Sequence, residues 1–349
     1  MLPCGTFSKD YGEDSAVIRT RLQWVITITA LVFLFTIPLW GNDYIIGLVS
    51  YTCILIIAVL GLQITTGYCG QVSLGHAGFM AVGAYTSALL TIKLGLSFWL
   101  ALPMAGITAG LSGFVFGAPA LRIKGFYLAL ATMAAHYVII FILMRLEITG
   151  KTAGLHPPPP EIGNFALNTN VRMSYVIISV MVLMTFLAKN LVRTKAGRAF
   201  VAIRDNDLAA KVMGINIYYY KLLAFFIGCF FAGIAGSLLG HWWLVITPEM
   251  FTIPQSLIFI GMLIIGGMGS ISGVFFGVIS LRLLEEAVTL FAPLLSAAIP
   301  AVGMDIAAPL AGVTFGLVIV LFLIFEPRGL VHRWQIFKVA YRFHPFSYV

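Results

Sequence analysis

Long apolar runs separated by short polar intervals dominate the chain, a pattern typical of helices that cross a membrane. The pattern predicts an all-α polytopic integral membrane bundle of about 8–10 transmembrane segments, because each run is near the length that a spanning helix needs. The predicted segments cover 22–40, 44–62, a stretch from 63 that ends near 93, 98–121, 126–146, 173–191, 222–245, 253–265, 271–290 and 306–325.

Two glycine-rich stretches interrupt these apolar runs. Residues 63–76 and 266–270 share a weak echo, Gly67-x-x-Gly70-x-x-Ser73 against Gly266-x-x-Gly269-x-x-Ser272. Paired broken helices in two halves are found around the midplane sites of transporters, although chance agreement between glycine-rich segments explains the echo equally well. We count the second interruption as a turn between two passes, which gives ten crossings; a single pass would place the basic tail outside.

The interval 193–221 is the one long polar stretch between apolar runs. It carries six basic residues against two acidic ones, and such loops stay on the cytoplasmic side of a membrane. Within it we predict a short helix from Asn206 to Gly214, with Asn206 or Asp205 as its N-cap and Gly214 as its stop. The helix either docks a cytoplasmic partner or belongs to a solvated connector whose charge only sets topology.

These features divide the chain into one membrane domain with polar ends. We expect a cytoplasmic N-terminal segment (1–21), a single transmembrane domain (22–325) with an external loop (147–172), and a cytoplasmic tail (326–349). The tail alternates aromatic and basic residues, so we expect it to lie along the lipid surface. The predicted location is the inner, cytoplasmic membrane.

Composition excludes several classes of function. Hydrophobic residues make up 60% of the chain and charged residues 10%, against roughly 25% charged residues in soluble domains. The net charge of +8 lies in clusters beside apolar runs, so it needs no nucleic acid to explain it. Gly150-Lys151-Thr152 lacks the earlier glycine of a phosphate-binding loop. We find no metal or catalytic constellation, and we expect neither enzyme activity nor a cofactor in this chain.

Polar residues inside apolar segments are candidates for a substrate pathway, since such groups usually face the bundle interior. The candidates are Gln71, Ser73, His76, Thr132 and His136. The alternative is ordinary hydrogen bonding between helices. A further set, Arg282 with Glu285 and Glu286, indicates a self-paired helix end more than a proton relay.

Several motifs, in order along residues 45–330, resemble the permease subunits of branched-chain amino acid ABC importers of the LivM type. They are GYCGQVSLGHAGFMAVGAYTSALL (67–90), LRIKGFYLALAT (121–132), ITGKTAGL (148–155), RDNDLAAKVMGINIYYYKLLAF (204–225), GGMGSISG (266–273) and FEPRGL (325–330). The resemblance implies a coupling segment that sits in a groove of an ATPase subunit. Its residues here would be Arg204, Asp205, Asp207, Ala209, Ala210 and Gly214.

The same resemblance implies the partners. They are a homologous permease subunit, two ATPase subunits that hold ATP and Mg²⁺, an extracytoplasmic substrate-binding protein, and membrane lipid. The sequence departs from the family where the usual acidic residue before the alanine pair is displaced to Asp207, and where four prolines follow Leu155. The implied substrates are branched-chain or related apolar amino acids. Related permeases serve urea, short amides or aromatic acids, and a self-sufficient secondary transporter is the alternative from another class.

Overall fold

A computed structural model describes residues 21–120, 125–162, 165–166, 169–298, 316–317, 320–321, 324–326 and 329–343. Helices account for most of this part of the chain. They are α1 (Arg21–Trp40), α2 (Asp43–Leu62), α3 (His76–Lys93), α4 (Phe98–Ala120), α5 (Phe126–Arg145), α6 (Asn170–Arg193), α7 (Lys195–Asp205), α8 (Asp207–Val212), α9 (Ile217–Trp243), α10 (Ile253–Gly266), α11 (Ile271–Ala298) and α12 (Leu330–Phe343). A π-helical turn (Gln63–Tyr68) continues α2, and Pro248–Met250 form a 3-10 turn.

The predicted all-α membrane bundle is confirmed. Within the described residues, six helical stretches are long and apolar enough to cross a membrane: Asp43–Tyr68, Phe98–Gly117, Phe126–Arg145, Asn170–Arg193, Ile217–Trp243 and Pro248–Gly266. Exact helix ends differ from the predicted ones by a few residues, as fraying ends usually do. The count of ten crossings and the cytoplasmic placement of both termini stay predictions.

Two helical regions depart from the sequence prediction. Helix α11 extends to Ala298, past the predicted end at 290, so Pro293 lies within the helix rather than in a loop. Residues 195–205, predicted as part of a polar loop, form the separate helix α7. The predicted last span, 306–325, lies mostly outside the described residues, as do segment 1–20 and the end of the tail.

Helix α9 is the centre of the bundle and packs against α2, α3 and α4. Glycines on α4 permit this contact: a Cβ at Gly106 would lie 2.7 Å from the Phe230 ring, and one at Gly113 would lie 2.5 Å from Cys229 Sγ. The glycines of α4 therefore serve close packing, as small residues do in membrane helices. Cys53, Cys69 and Cys229 are buried and unbridged, and they pack in the hydrophobic core.

The predicted external loop contains little regular structure. Two short strands, Glu161–Ile162 and Phe165–Ala166, pair antiparallel within it. Leu155 exchanges two 2.9 Å backbone hydrogen bonds with Ile246, just beyond the end of α9. This bridge fixes the loop to the bundle end opposite the basic residues of α7 and α8.

Candidate functional site: a helical pair and the two chain breaks

Helices α7 and α8 form a pair, defined as residues 195–212, that joins α6 to α9. Thr194 caps α7 by accepting a hydrogen bond from the Gly197 amide, and Asn206 caps α8 by accepting one from the Ala209 amide at 3.0 Å. Of the two N-cap candidates, the structure selects Asn206. Gly214 follows α8 with φ +82°, a conformation in which a side chain would be strained.

One face of α8 presents apolar side chains outward. Leu208, Val212 and Met213 are 69%, 87% and 81% exposed, whereas Ala210 is 3% exposed and packs inward. Among the predicted coupling residues, Arg204, Asp205, Ala209 and Gly214 are exposed and Asp207 is half-buried. These three apolar residues form an exposed patch on an otherwise basic segment. Exposed apolar patches of this kind mark sites of interaction with a partner.

The five predicted pathway residues lie together around the first interruption, and all are at most 2% exposed. His76 begins α3 and its Nε2 lies 2.8 Å from the Ala58 carbonyl. Thr132 accepts a 3.0 Å hydrogen bond from the Leu74 amide, which ties α5 to the break. His136, one turn further along α5, lies so close to α3 that a Cβ at Gly78 would be 2.9 Å from its Nδ1.

Three of these residues retain unused polar atoms. Within the described part of the chain, both amide atoms of Gln71, the Ser73 hydroxyl and His136 Nδ1 are buried without a hydrogen-bond partner. Unsatisfied buried polar groups are rare and costly, so such a group calls for an explanation. His76 and Thr132, by contrast, make the helix-to-helix hydrogen bonds that were the alternative to a pathway role.

The two interruptions touch each other. Gln63 Nε2 donates to the Ser270 carbonyl at 2.9 Å and to the Gly267 carbonyl at 3.3 Å. Gly67 lies against the Gly269 amide, 2.9 Å from where its Cβ would be. The two segments that share the Gly-x-x-Gly pattern in the sequence therefore also contact each other in the fold.

Sequence reasoning assigned no specific role to Gln63, and it missed Ser256, the buried side chain that accepts a 3.0 Å hydrogen bond from the Ala77 amide. A polar residue at the edge of an apolar run was the available signal for each. Their partners lie about two hundred residues away, beyond the reach of local pattern.

Arg282, Glu285 and Glu286 form the expected self-paired set, but they lie in the middle of α11 rather than at a helix end. The Arg282 guanidinium pairs with both carboxylates and lies 4.8 Å from the Tyr51 ring centroid, and the Tyr44 hydroxyl donates to Glu286. No group of three or more metal-binding side chains occurs among the described residues.

Fold and site together define a multi-pass helical membrane protein with a projecting helical pair beside two broken helices. The family model described as "Branched-chain amino acid transport system / permease component" matches residues 44–323. The chain belongs to this family of permease components.

Individual relatives agree with the family match. The high-affinity branched-chain amino acid transport system permease protein LivM of Escherichia coli K12 is 32% identical over 74% of this chain, and the match spans 66% of that protein, just under two thirds. BraD of Pseudomonas aeruginosa is 25% identical over 80% of this chain and 92% of its own length. A probable LivM of Methanocaldococcus jannaschii is 24% identical over 79% of this chain and 89% of its own length. No solved structure matches.

Proposed function

We propose that this chain is a transmembrane subunit of an ATP-binding-cassette importer for branched-chain or related apolar amino acids. The exposed apolar face of α8 is the observation that carries the proposal. Leu208, Val212 and Met213 are apolar side chains that can pack into a groove of a cytoplasmic partner, and burial of apolar surface favours such association. Relatives named as branched-chain amino acid permeases support the substrate class.

The proposed assembly is the one that the resemblance to importer permeases implies, with α8 as its docking surface. Two ATPase subunits bind and hydrolyse ATP with Mg²⁺, and one engages α8 through Leu208, Ala209, Val212 and Met213. Gly214 lets the chain turn away after the docked helix. A homologous permease subunit completes the pathway, and an extracytoplasmic binding protein delivers substrate. The helical pair and both termini then face the cytoplasm, in agreement with the positive charge of residues 193–221.

Within the bundle, we assign the buried polar cluster around the first interruption to the substrate pathway. Gln71, Ser73 and His136 carry the unused polar atoms, which a passing zwitterion or its water can use. His76 and Thr132 hold the interrupted backbone in place through their hydrogen bonds to Ala58 and Leu74. Because all five are buried, the pathway opens only when the bundle changes conformation.

Co-purification tests the docking assignment. Val212→Asp places a charge on the exposed face of α8 and should reduce capture of the ATPase at least tenfold, about the effect of losing one interface hot spot. Leu94→Asp is the matched control, because Leu94 is 67% exposed at the end of α3, away from the helical pair. Equal ATPase capture by both variants would overturn the assignment.

Substituted-cysteine labelling tests the pathway. We expect Ser73→Cys and His136→Cys to react with a water-borne thiol reagent in one nucleotide state and to be protected in another. Both cysteines unreactive in every state would contradict their placement in the pathway. Competition of labelled leucine uptake by valine, urea, short amides and aromatic acids then identifies the substrate class.

A further inference from the structure

Arg204, the penultimate residue of α7, reaches from the helical pair into the first interruption. Its Nη1 donates a 2.9 Å hydrogen bond to the Gly67 carbonyl, 137 residues earlier in the chain. Its Nε and Nη2 contact Asp205 Oδ1 at 3.0 and 2.9 Å. The guanidinium is thereby held between a carboxylate at the end of α7 and a backbone carbonyl near the end of the Asp43–Tyr68 helical stretch.

The acceptor carbonyl is well suited to a cation. Gly67 lies in the last turn of the π-helical stretch, where the terminal carbonyls of a helix lack partners in the next turn. Backbone donors that follow it bond to other residues: the Cys69 amide to Ile64, and the Gly70 amide to Thr66. The partial negative charge at a helix C-terminus adds to the attraction for the guanidinium.

The second interruption lies against the same guanidinium. Gly269 has φ +82°, and a Cβ on it would be 2.6 Å from Arg204 Nη1. A Cβ on Gly70 would be 3.1 Å from Arg204 Cγ, so glycine leaves room for the arginine on both sides. Gln63 completes the arrangement because its amide bonds to Gly267 and Ser270 of the second interruption.

We propose that Arg204 is a positioning residue that joins the helical pair to both helix interruptions, so that movement of α8 shifts the two interruptions as one unit. Asp205 orients the guanidinium, and Gln63 holds the first break to the second. This inference rests on the proposed function, because the movement of α8 comes from the docked ATPase. It gives Arg204 an inward role rather than a contact with the ATPase.

The test compares two arginines of the same helix in the complex purified from its native membranes. Among the described residues, the Arg198 side chain bonds to the nearby Arg193 carbonyl, so Arg198→Gln removes the same charge without touching either interruption. We expect both variants to retain the ATPase. Arg204→Gln should move about tenfold less leucine per ATP hydrolysed, an effect within the range of typical coupling between sites, while Arg198→Gln matches the unmodified chain.

Arg204→Lys adds a graded control. Lysine keeps the positive charge but lacks the planar fork that contacts Gly67 and Asp205 together. We therefore expect an amount of leucine transported per ATP that lies between the values for the arginine and glutamine forms. Gln63→Met should lower this amount in the same way, with the ATPase still bound.

Each outcome decides the matter. If Arg204→Gln and Arg198→Gln transport the same amount of leucine per ATP, the inference is overturned. Loss of the ATPase from Arg204→Gln alone also overturns it, because Arg204 would then be a docking residue. An unmodified chain that captures no ATPase would instead contradict the proposed function, so the two failures are distinguishable.

Discussion

The interruption at 63–76 and the helical pair at 195–212 are both polar segments of an apolar chain, yet their side chains are buried and exposed in opposite ways. Around the interruption, polar side chains such as Gln71 and His76 are 1% exposed and lie inside the bundle. In the helical pair, apolar side chains such as Leu208 and Val212 are 69% and 87% exposed. Polar groups buried without partners and apolar groups left outside are both costly, and both mark function.

The difference separates two kinds of site. The polar side chains of the interruption lie inside the protein, so they depend on neighbours from distant helices. In the proposed assembly, the helical pair would meet its partner through exposed side chains such as Leu208 and Val212, whereas Ala210 and Arg204 contact the rest of the bundle. Substitutions of buried residues at either site should therefore lower stability, whereas substitutions on the exposed face of α8 should impair only assembly.

The largest expected contrast lies between two neighbouring alanines of α8. Ala210 is 3% exposed, so Ala210→Asp buries an unpaired carboxylate and should lower stability by at least about 2 kcal/mol. Ala209 is exposed, so Ala209→Asp should leave thermal stability unchanged and impair transport. Thermal unfolding in detergent and uptake assays measure the two effects. Equal melting temperatures for the two variants would contradict the inward orientation of Ala210.

A second contrast uses two glycines of the continuous helical stretch from α2 through the π-helical turn. A Cβ at Gly67 would lie 2.9 Å from the Gly269 backbone nitrogen, which cannot move aside as the end of a side chain can, so Gly67→Ala should destabilise the protein by about 1–3 kcal/mol through overpacking. At Gly47 the nearest atom is 3.8 Å away, and Gly47→Ala should be neutral or stabilising because alanine favours helix. A tolerated Gly67→Ala in the same unfolding assay would show that the two breaks are not in close contact.

The smallest effect concerns two threonines. Thr132→Val deprives the Leu74 amide of its acceptor and should cost about 1–2 kcal/mol of stability. Thr86 donates only to the Val82 carbonyl of its own helix, so Thr86→Val is the matched control and should change stability little. The comparison fails if both valine variants unfold at the same temperature.

The sequence predicted the helical scaffold well because each spanning helix is a local property of one apolar run. The cap of α8 was equally local, since Asn206 bonds only three residues ahead. Helix α7 was not predicted because it is only eleven residues long and carries several charges. Its helix is stabilised by packing of one face against the bundle. The predicted end of α11 was too early because proline normally ends a helix, whereas Pro293 lies within α11.

Long-range contacts were the part that local pattern could not supply. The sequence predicted Gln71, Ser73, His76, Thr132 and His136 as one set of pathway candidates, and the structure brings them together. It gave no sign that Gln63 meets Ser270 or that Arg204 meets Gly67, because those pairs are joined only by the packing of several helices.

One measurement tests the central claim most directly: uptake of labelled leucine into proteoliposomes that contain the chain with all its co-purified partners. The account predicts uptake only when ATP is present on the side of the helical pair, and loss of that uptake in Val212→Asp with the folded chain intact. Uptake by the purified chain alone, driven by an ion gradient without ATP and unaffected by Val212→Asp, would contradict it.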